Sequence, residues 1–207
     1  MTTTRSRLVW DWVGANITWI ERVGRPYLHL PVHGLGLTGG ETVLDVGCGT
    51  GVHFPAVRPA VGPHGRIVGV DFSPRSLAKA RRRVERHGWD NIELVRADAT
   101  TTPLGDTEFD AALAMTSLSA MPDIPAAVDH VYAALRPGGR LFVADVRPKG
   151  LLRLGYRLIA GAPGEDVTVP IRERFDSVTL LDKNAEATTR PAASTTQYLM
   201  LVATKRR

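Results

Sequence analysis

A chain of 207 residues, 43% hydrophobic and 23% charged, is long enough to close one full core and has the composition of an ordinary globular protein. Its 26 basic residues outnumber 21 acidic ones, but the densest run, Arg81-Arg82-Arg83 with Arg86, shares a helical repeat with Leu77, Ala80 and Val84. It is the wet face of an amphipathic helix, so no nucleic-acid partner is expected. The single cysteine, Cys48, excludes an internal disulfide or a multi-cysteine metal site and fits a reducing compartment, by default the cytoplasm. No uncharged run approaches the length of a membrane span, and MTTTRSRLVWDW lacks the apolar core of a signal peptide.

Residues 8–28, LVWDWVGANITWIERVGRPYL, place Val9, Val13, Ile17 and Ile20 on one helical face beside Trp10, Trp12 and Trp19. Arg5, Arg7, Arg22 and Arg25 flank them. Such a helix either packs on the domain and roofs a pocket or lies in a membrane interface. Residues 1–40 are read as an N-terminal helical cap, and residues 41–207 as the main domain.

ETVLDV (41–46) is a short apolar strand, and a helix is expected from Gly51 to about Ala60. RIVGVD (66–71) is a second strand. Ser73-Pro74 supplies an N-cap and a first-turn proline for the arginine-bearing helix, which His87-Gly88 ends. NIELVRAD (91–98) and FDAALAM (109–115) are the third and fourth strands. PDIPAAVDHVYAALRPGG (122–139) is a helix closed by Pro137-Gly138-Gly139, and RLFVADV (140–146) is the fifth strand. Residues 147–175 are a lid or insert, in which GLLRLGYRLIAG (150–161) looks helical. DSVTLLDKN (176–184) and QYLMLVATK (197–205) form a terminal strand pair around a polar turn. Apolar strands separated by single helices predict a parallel sheet covered on both faces.

Gly47, Gly49 and Gly51 follow the first strand, where an open parallel sheet binds its ligands. Bare backbone there lets a ligand approach and the chain turn sharply. The dinucleotide pattern G-x-G-x-x-G fails, because its third glycine would fall on Val52 or Phe54. The P-loop fails because no Gly-Lys-Ser/Thr follows. Asp71 closes the second strand and Asp98 the third. Either alone is a cap or turn former. Together, beside the glycine loop, they describe a nucleoside crevice, with one carboxylate for ribose hydroxyls and one for an adenine edge.

VLDVGCGTG, VGVDFSP, RADATTTPLGDTEFD and LRPGGRLFVADV, in this order over about residues 41 to 146, resemble the class I S-adenosylmethionine-dependent methyltransferases. Residues 109–148 are most similar to the ubiquinone/menaquinone C-methyltransferase branch and its small-molecule and phospholipid-methylating relatives. The resemblance implies a Rossmann-like three-layer α/β sandwich with a seven-stranded, mostly parallel sheet and an antiparallel last strand. It implies that Gly47, Gly49 and Gly51 line the methionine end of the cofactor, with Asp45 orienting its amino group. Asp71 would hold the ribose, Phe72 would pack on the adenine, and Asp98 and Ala99 would meet its edge. Met115 would offer its backbone to the aminoacyl moiety. Quinone methyltransferases carry an Arg-Asn pair after the fourth strand, where this chain has Ser119-Ala120.

Methyl transfer from a sulfonium is an in-line displacement that needs alignment and a dry pocket. A base is required only for a protonated nucleophile. Its candidates are His53, beside the loop, and His29, His33 and Tyr27; His64, His87 and His130 are read as structural. The segment AMTSLSAMPD lacks the Pro-Pro-aromatic loop of amino-methylating nucleic-acid enzymes, and Cys48 lies too early for pyrimidine C5 chemistry. Arsenite methylation would need several thiols. The expected acceptor is a small apolar molecule (quinone-, polyketide- or phenol-like). The alternatives are phospholipid headgroup N-methylation at a membrane, or cofactor binding without turnover.

Overall fold

The computed structural model describes residues 9, 11, 28–105, 108–148, 154, 166–181 and 196–207. The apolar face read over residues 8–28, the helix at 150–161 and the turn between the last two strands lie almost wholly outside them.

A short helix α1 (Leu30–Leu35) precedes β1 (Thr42–Val46), α2 (Phe54–Val61) and β2 (Arg66–Asp71). Next come α3 (Pro74–His87), β3 (Ile92–Arg96) and β4 (Phe109–Met115). A 3₁₀ turn (Leu118–Ala120) leads to α4 (Ile124–Ala134) and β5 (Leu135–Pro148). The chain then forms α5 (Thr168–Arg174), β6 (Ser177–Leu180) and β7 (Thr196–Thr204). The seven strands lie in the order β3-β2-β1-β4-β5-β7-β6. Pairs among β1 to β5 are parallel, and β7 runs antiparallel to both β5 and β6. The expected sheet, with its antiparallel last strand, is the observed one.

Both faces of the sheet are dry. Leu44, Val46, Val68, Val70, Ala112 and Ala114 face a core shared with Val128 and Val131 of α4 and Ile171 of α5. The alternate residues Val43, Ile67, Ala111 and Leu113 face the opposite core, with Leu35, Phe54, Val57, Leu77 and Ala80 from α1, α2 and α3. This is why the strands read as unbroken apolar runs. The caps follow their sequence signals. Ser73 Oγ accepts from the Ser76 N–H, and Gly88 turns left-handed at φ 62° to end α3.

Several boundaries differ: β3 spans Ile92–Arg96, so Asp98 follows the strand instead of closing it, and α2 begins at Phe54. The helix expected over 122–139 stops at Ala134, and Leu135 already pairs with Phe109 of β4 across a bulge. Arg136 precedes Pro137, which disfavours helical backbone. The carbonyls of Tyr132 and Leu135 are instead taken by the Lys205 ammonium. The first strand of the terminal pair is also shorter than expected, since β6 ends at Leu180.

The sheet order reverses between β1 and β4. The first crossover from β1 leads outward to β2 and β3, and the chain returns to lay β4 on the other side. That point is where a ligand crevice opens in such sheets.

Candidate functional site

Apolar contacts hold β1 in the sheet centre and deliver its last residue, Val46, to the crevice. The N–H groups of Gly47 and Cys48 both donate to the Val70 carbonyl, at 2.8 and 3.0 Å, so the loop folds across the end of β2. Gly47 sits at φ 72°, and a Cβ there would lie 2.6 Å from Ser117 Cβ. Only glycine admits both that backbone and that neighbour. A Cβ on Gly51 would lie 2.4 Å from the Phe54 ring, and one on Gly69 would lie 2.8 Å from it. Phe54, fully buried, is thus clamped between the loop and β2 and seats α2 under the site. Truncating such a side chain costs about 3–5 kcal/mol.

Asp71 ties these parts together. Its Oδ2 accepts from the Gly49 N–H at 2.9 Å and its Oδ1 from the Ser73 N–H at 2.8 Å. Burial raises its pKa, the two amides pull it back, and nearby Asp11 raises it again. Asp11 itself accepts from Ser73 Oγ at 2.5 Å and pairs with Arg75 at 3.1 Å. Asp11 therefore reaches the ribose end of the expected site.

Asp45 lies in β1 between Gly69 and Leu113, and is 1% exposed. Its Oδ2 has no hydrogen-bond partner. Burial, and then the charge of Asp71, push its pKa from 3.8 to about 8. A carboxyl so placed is neutral near pH 7 and ionises when a cation arrives to compensate it. Paired acids with displaced pKa values beside a loop of bare amides mark a functional site.

The remaining residues line the neighbouring strand ends. Asp98 Oδ1 accepts from the Thr100 N–H at 3.0 Å and its hydroxyl at 2.6 Å, shaping the turn after β3. Ala99 is buried, and its carbonyl meets His130 Nδ1 of α4 at 2.8 Å. Phe72 is half-buried after β2. Met115, half-buried at the end of β4, accepts the Thr116 hydroxyl at its carbonyl. The fold thus lays Asp98 and Ala99, Asp71 and Phe72, Asp45 with the three glycines, and Met115 along the ends of four adjacent strands.

His53 stands at the N-cap of α2 and is 9% exposed. Burial lowers its pKa from 6.5 to about 4, a backbone hydrogen bond with Leu28 opposes that shift, and Arg83 adds to it. Its Nδ1 is buried without a partner. A neutral imidazole of that pKa is a weak proton acceptor near pH 7. His29 and His33 are exposed, and Tyr27 lies outside the described residues. The sequence reading did not single out Phe54, Gly69, Asp11 or Ser117. A glycine inside the RIVGVD strand was the available signal for a close approach; the others carried none.

Residues 43–139 match a family model described as a methyltransferase domain. The chain is 34% identical over 107 residues to the arsenite methyltransferase of Halobacterium salinarum, covering 52% of this chain and 27% of that protein. It is 31% identical over 123 residues to the demethylmenaquinone methyltransferase of Oceanobacillus iheyensis, covering 59% of this chain and 51% of that one. The chain therefore spans about half the length of one of these curated relatives, and less of the other. The solved structure of the [4+2]-cyclase SpnF matches with a TM-score of 0.67 at 26% identity, covering 87% of this chain and 80% of that one. Strand order, loop and relatives agree: residues 43–139 belong to a class I S-adenosylmethionine-dependent methyltransferase domain, related to the quinone C-methyltransferase branch.

Proposed function

We propose that the chain transfers a methyl group from S-adenosylmethionine, by in-line displacement, to a small apolar acceptor of quinone, polyketide or phenol type. The observation that carries the cofactor half of this reading is the buried carboxyl of Asp45, whose Oδ2 has no hydrogen-bond partner, beside the loop that Asp71 holds. It suits a ligand that brings an ammonium to one end of the crevice and a ribose to the other.

When bound, S-adenosylmethionine supplies an electrophilic methyl on a sulfonium. Asp45 would ionise and orient the ammonium, with the Met115 carbonyl as its second acceptor. The backbone of Gly47, Gly49 and Gly51 would line the same tail. Asp71 would accept both ribose hydroxyls. Phe72 would pack on the adenine, and Asp98 and Ala99 would meet its edge. His53, expected as a base, is better placed to hold the Leu28 backbone through its hydrogen bond.

The acceptor class rests on chemistry. Arsenite is disfavoured although one relative methylates it, because the sequence holds one cysteine and its thiol is buried with a raised pKa. Ser119-Ala120 in place of an Arg-Asn pair weakens the quinone option within that class. Among the described residues no helix is long and apolar enough to cross a membrane. Docking through residues 8–28 onto lipid headgroups is the alternative, tested by liposome co-sedimentation with and without residues 1–25. Failure of both forms to pellet removes it.

A second reading, binding without methyl turnover, is favoured by one finding: a chain of this fold is described as a [4+2]-cyclase. The deciding experiment is calorimetric titration with S-adenosylhomocysteine, followed by transfer of labelled methyl to a panel of phenols and quinols. Binding with product supports methyl transfer. Binding without product on any acceptor supports the second reading, and absence of binding overturns both.

A further inference from the structure

Among the described residues, Thr116 is the one non-glycine residue in left-handed backbone, at φ 52°. A β-branched residue there is an outlier, and it persists only where its surroundings over-determine it. Here they do. The Thr116 N–H donates to the Ala144 carbonyl of β5 at 2.7 Å. Ser117 Oγ donates to the Val46 carbonyl of β1, also at 2.7 Å. The carboxylate of Asp145, fully buried, accepts from the Ser119 N–H at 3.0 Å and the Ser119 hydroxyl at 2.5 Å. Both neighbouring strands thus hold the turn after β4.

What the turn presents is one exposed side chain. Met115 and Ser117 on either side are half-buried, and Ala114 and Leu118 are buried. The Thr116 hydroxyl is turned back onto the Met115 carbonyl at 2.7 Å. Ser117, next to it, fills the space a side chain on Gly47 would need. Thr116 therefore stands at the switch point between β1 and β4, next to the residue that meets Gly47 and on a different strand from those that end near Asp71 and Asp98.

We infer that Thr116 is an acceptor-orienting residue: its hydroxyl leaves the Met115 carbonyl when an ammonium takes that oxygen, and then hydrogen-bonds the group presented at the methyl position. This rests on the loop being the S-adenosylmethionine site. A hydroxyl both donates and accepts, so it can orient a phenol oxygen or a carbonyl without itself gaining charge.

The test needs no knowledge of the acceptor. Sinefungin carries an amine where the sulfonium methyl would be, whereas S-adenosylhomocysteine carries nothing there. Both are titrated calorimetrically into the wild type, Thr116→Ala, Thr116→Ser and Thr116→Gly. Thr116→Ala should weaken sinefungin about fivefold or more, the effect of one hydrogen bond, and leave S-adenosylhomocysteine unchanged or slightly tighter. Thr116→Ser should restore sinefungin. Thr116→Gly should bind like Thr116→Ala while melting no lower than wild type, since glycine relieves the left-handed backbone. Equal weakening of both ligands, or no change in either, overturns the inference while leaving the cofactor reading intact. If the wild type binds neither ligand, the cofactor reading falls and this inference with it.

Discussion

The backbone N–H of Gly49 donates to the Asp71 carboxylate across 2.9 Å, so the loop after β1 and the end of β2 share the side chain assigned to the ribose. Replacing that carboxylate removes a charge-assisted contact to ligand and loosens the loop. Asp71→Ala should weaken S-adenosylhomocysteine binding by about 1.5–3 kcal/mol, roughly 10- to 150-fold in Kd. Calorimetric titration measures it, and an unchanged Kd would refute the assignment.

The glycines of the loop are not equivalent. A Cβ on Gly47 meets Ser117 at 2.6 Å, whereas one on Gly49 meets nothing within 4 Å. Both have positive φ, at 72° and 55°. Gly49→Ala should therefore cost only the left-handed penalty, about 1–2 kcal/mol. Gly47→Ala should add a packing term of about 1–3 kcal/mol. Adding Ser117→Gly should recover that second part, less the hydrogen bond that Ser117 Oγ gives the Val46 carbonyl. Denaturant unfolding of the three variants would show it, and equal losses for the two alanine variants would sink the explanation.

Asp45 links stability to pH. Its folded pKa of about 8 lies above its ordinary 3.8, so the unfolded chain ionises it first. The folded form binds the extra proton, and stability should fall as pH rises from about 4 to about 8, then level off. Asp45→Asn should flatten that slope in ligand-free thermal melts. Cofactor affinity should move the opposite way. The ammonium favours ionised Asp45, so binding below pH 8 releases a proton and tightens as pH rises toward that value. Titrations in buffers of different ionisation enthalpy would count the proton; none released would contradict the role.

His53 gives a fourth expectation. With its pKa near 4 it is already neutral at physiological pH, and its bond to the Leu28 backbone is structural. His53→Gln should cost about 1 kcal/mol of stability, the worth of one hydrogen bond, and leave kcat within about tenfold. A pH-rate profile on any identified acceptor decides between roles. A loss of about 100-fold or more would restore His53 as the base.

Much of this was legible before any coordinates. VLDVGCGTG, the aspartates at the ends of RIVGVD and NIELVRAD, and Ser73-Pro74 with Gly88 are local signals, because strand patterns, caps and bare turns are dictated by neighbouring residues. They placed the loop, the crevice and the seven strands. The end of α4 was not legible, because Leu135 is claimed by a β4 partner and Lys205 caps the helix from the far end of the chain.

The site's energetics were likewise out of reach. An aspartate in LDV carries no mark that one oxygen will be buried and unpartnered, since that depends on Gly69 and Leu113 arriving from other strands. His53 looked like a base by position, and only its burial, with the charge of Arg83 added, showed why it gives up its proton so readily. Thr116 is an ordinary residue in AMTSLSAM. Its left-handed backbone is imposed by hydrogen bonds to Ala144 and from Ser117 to Val46, contacts between segments far apart in sequence. The sequence alone determined which residues stand at the four adjacent strand ends. Burial and long-range hydrogen bonds, which exist only once the strands are assembled, decided their protonation and strain.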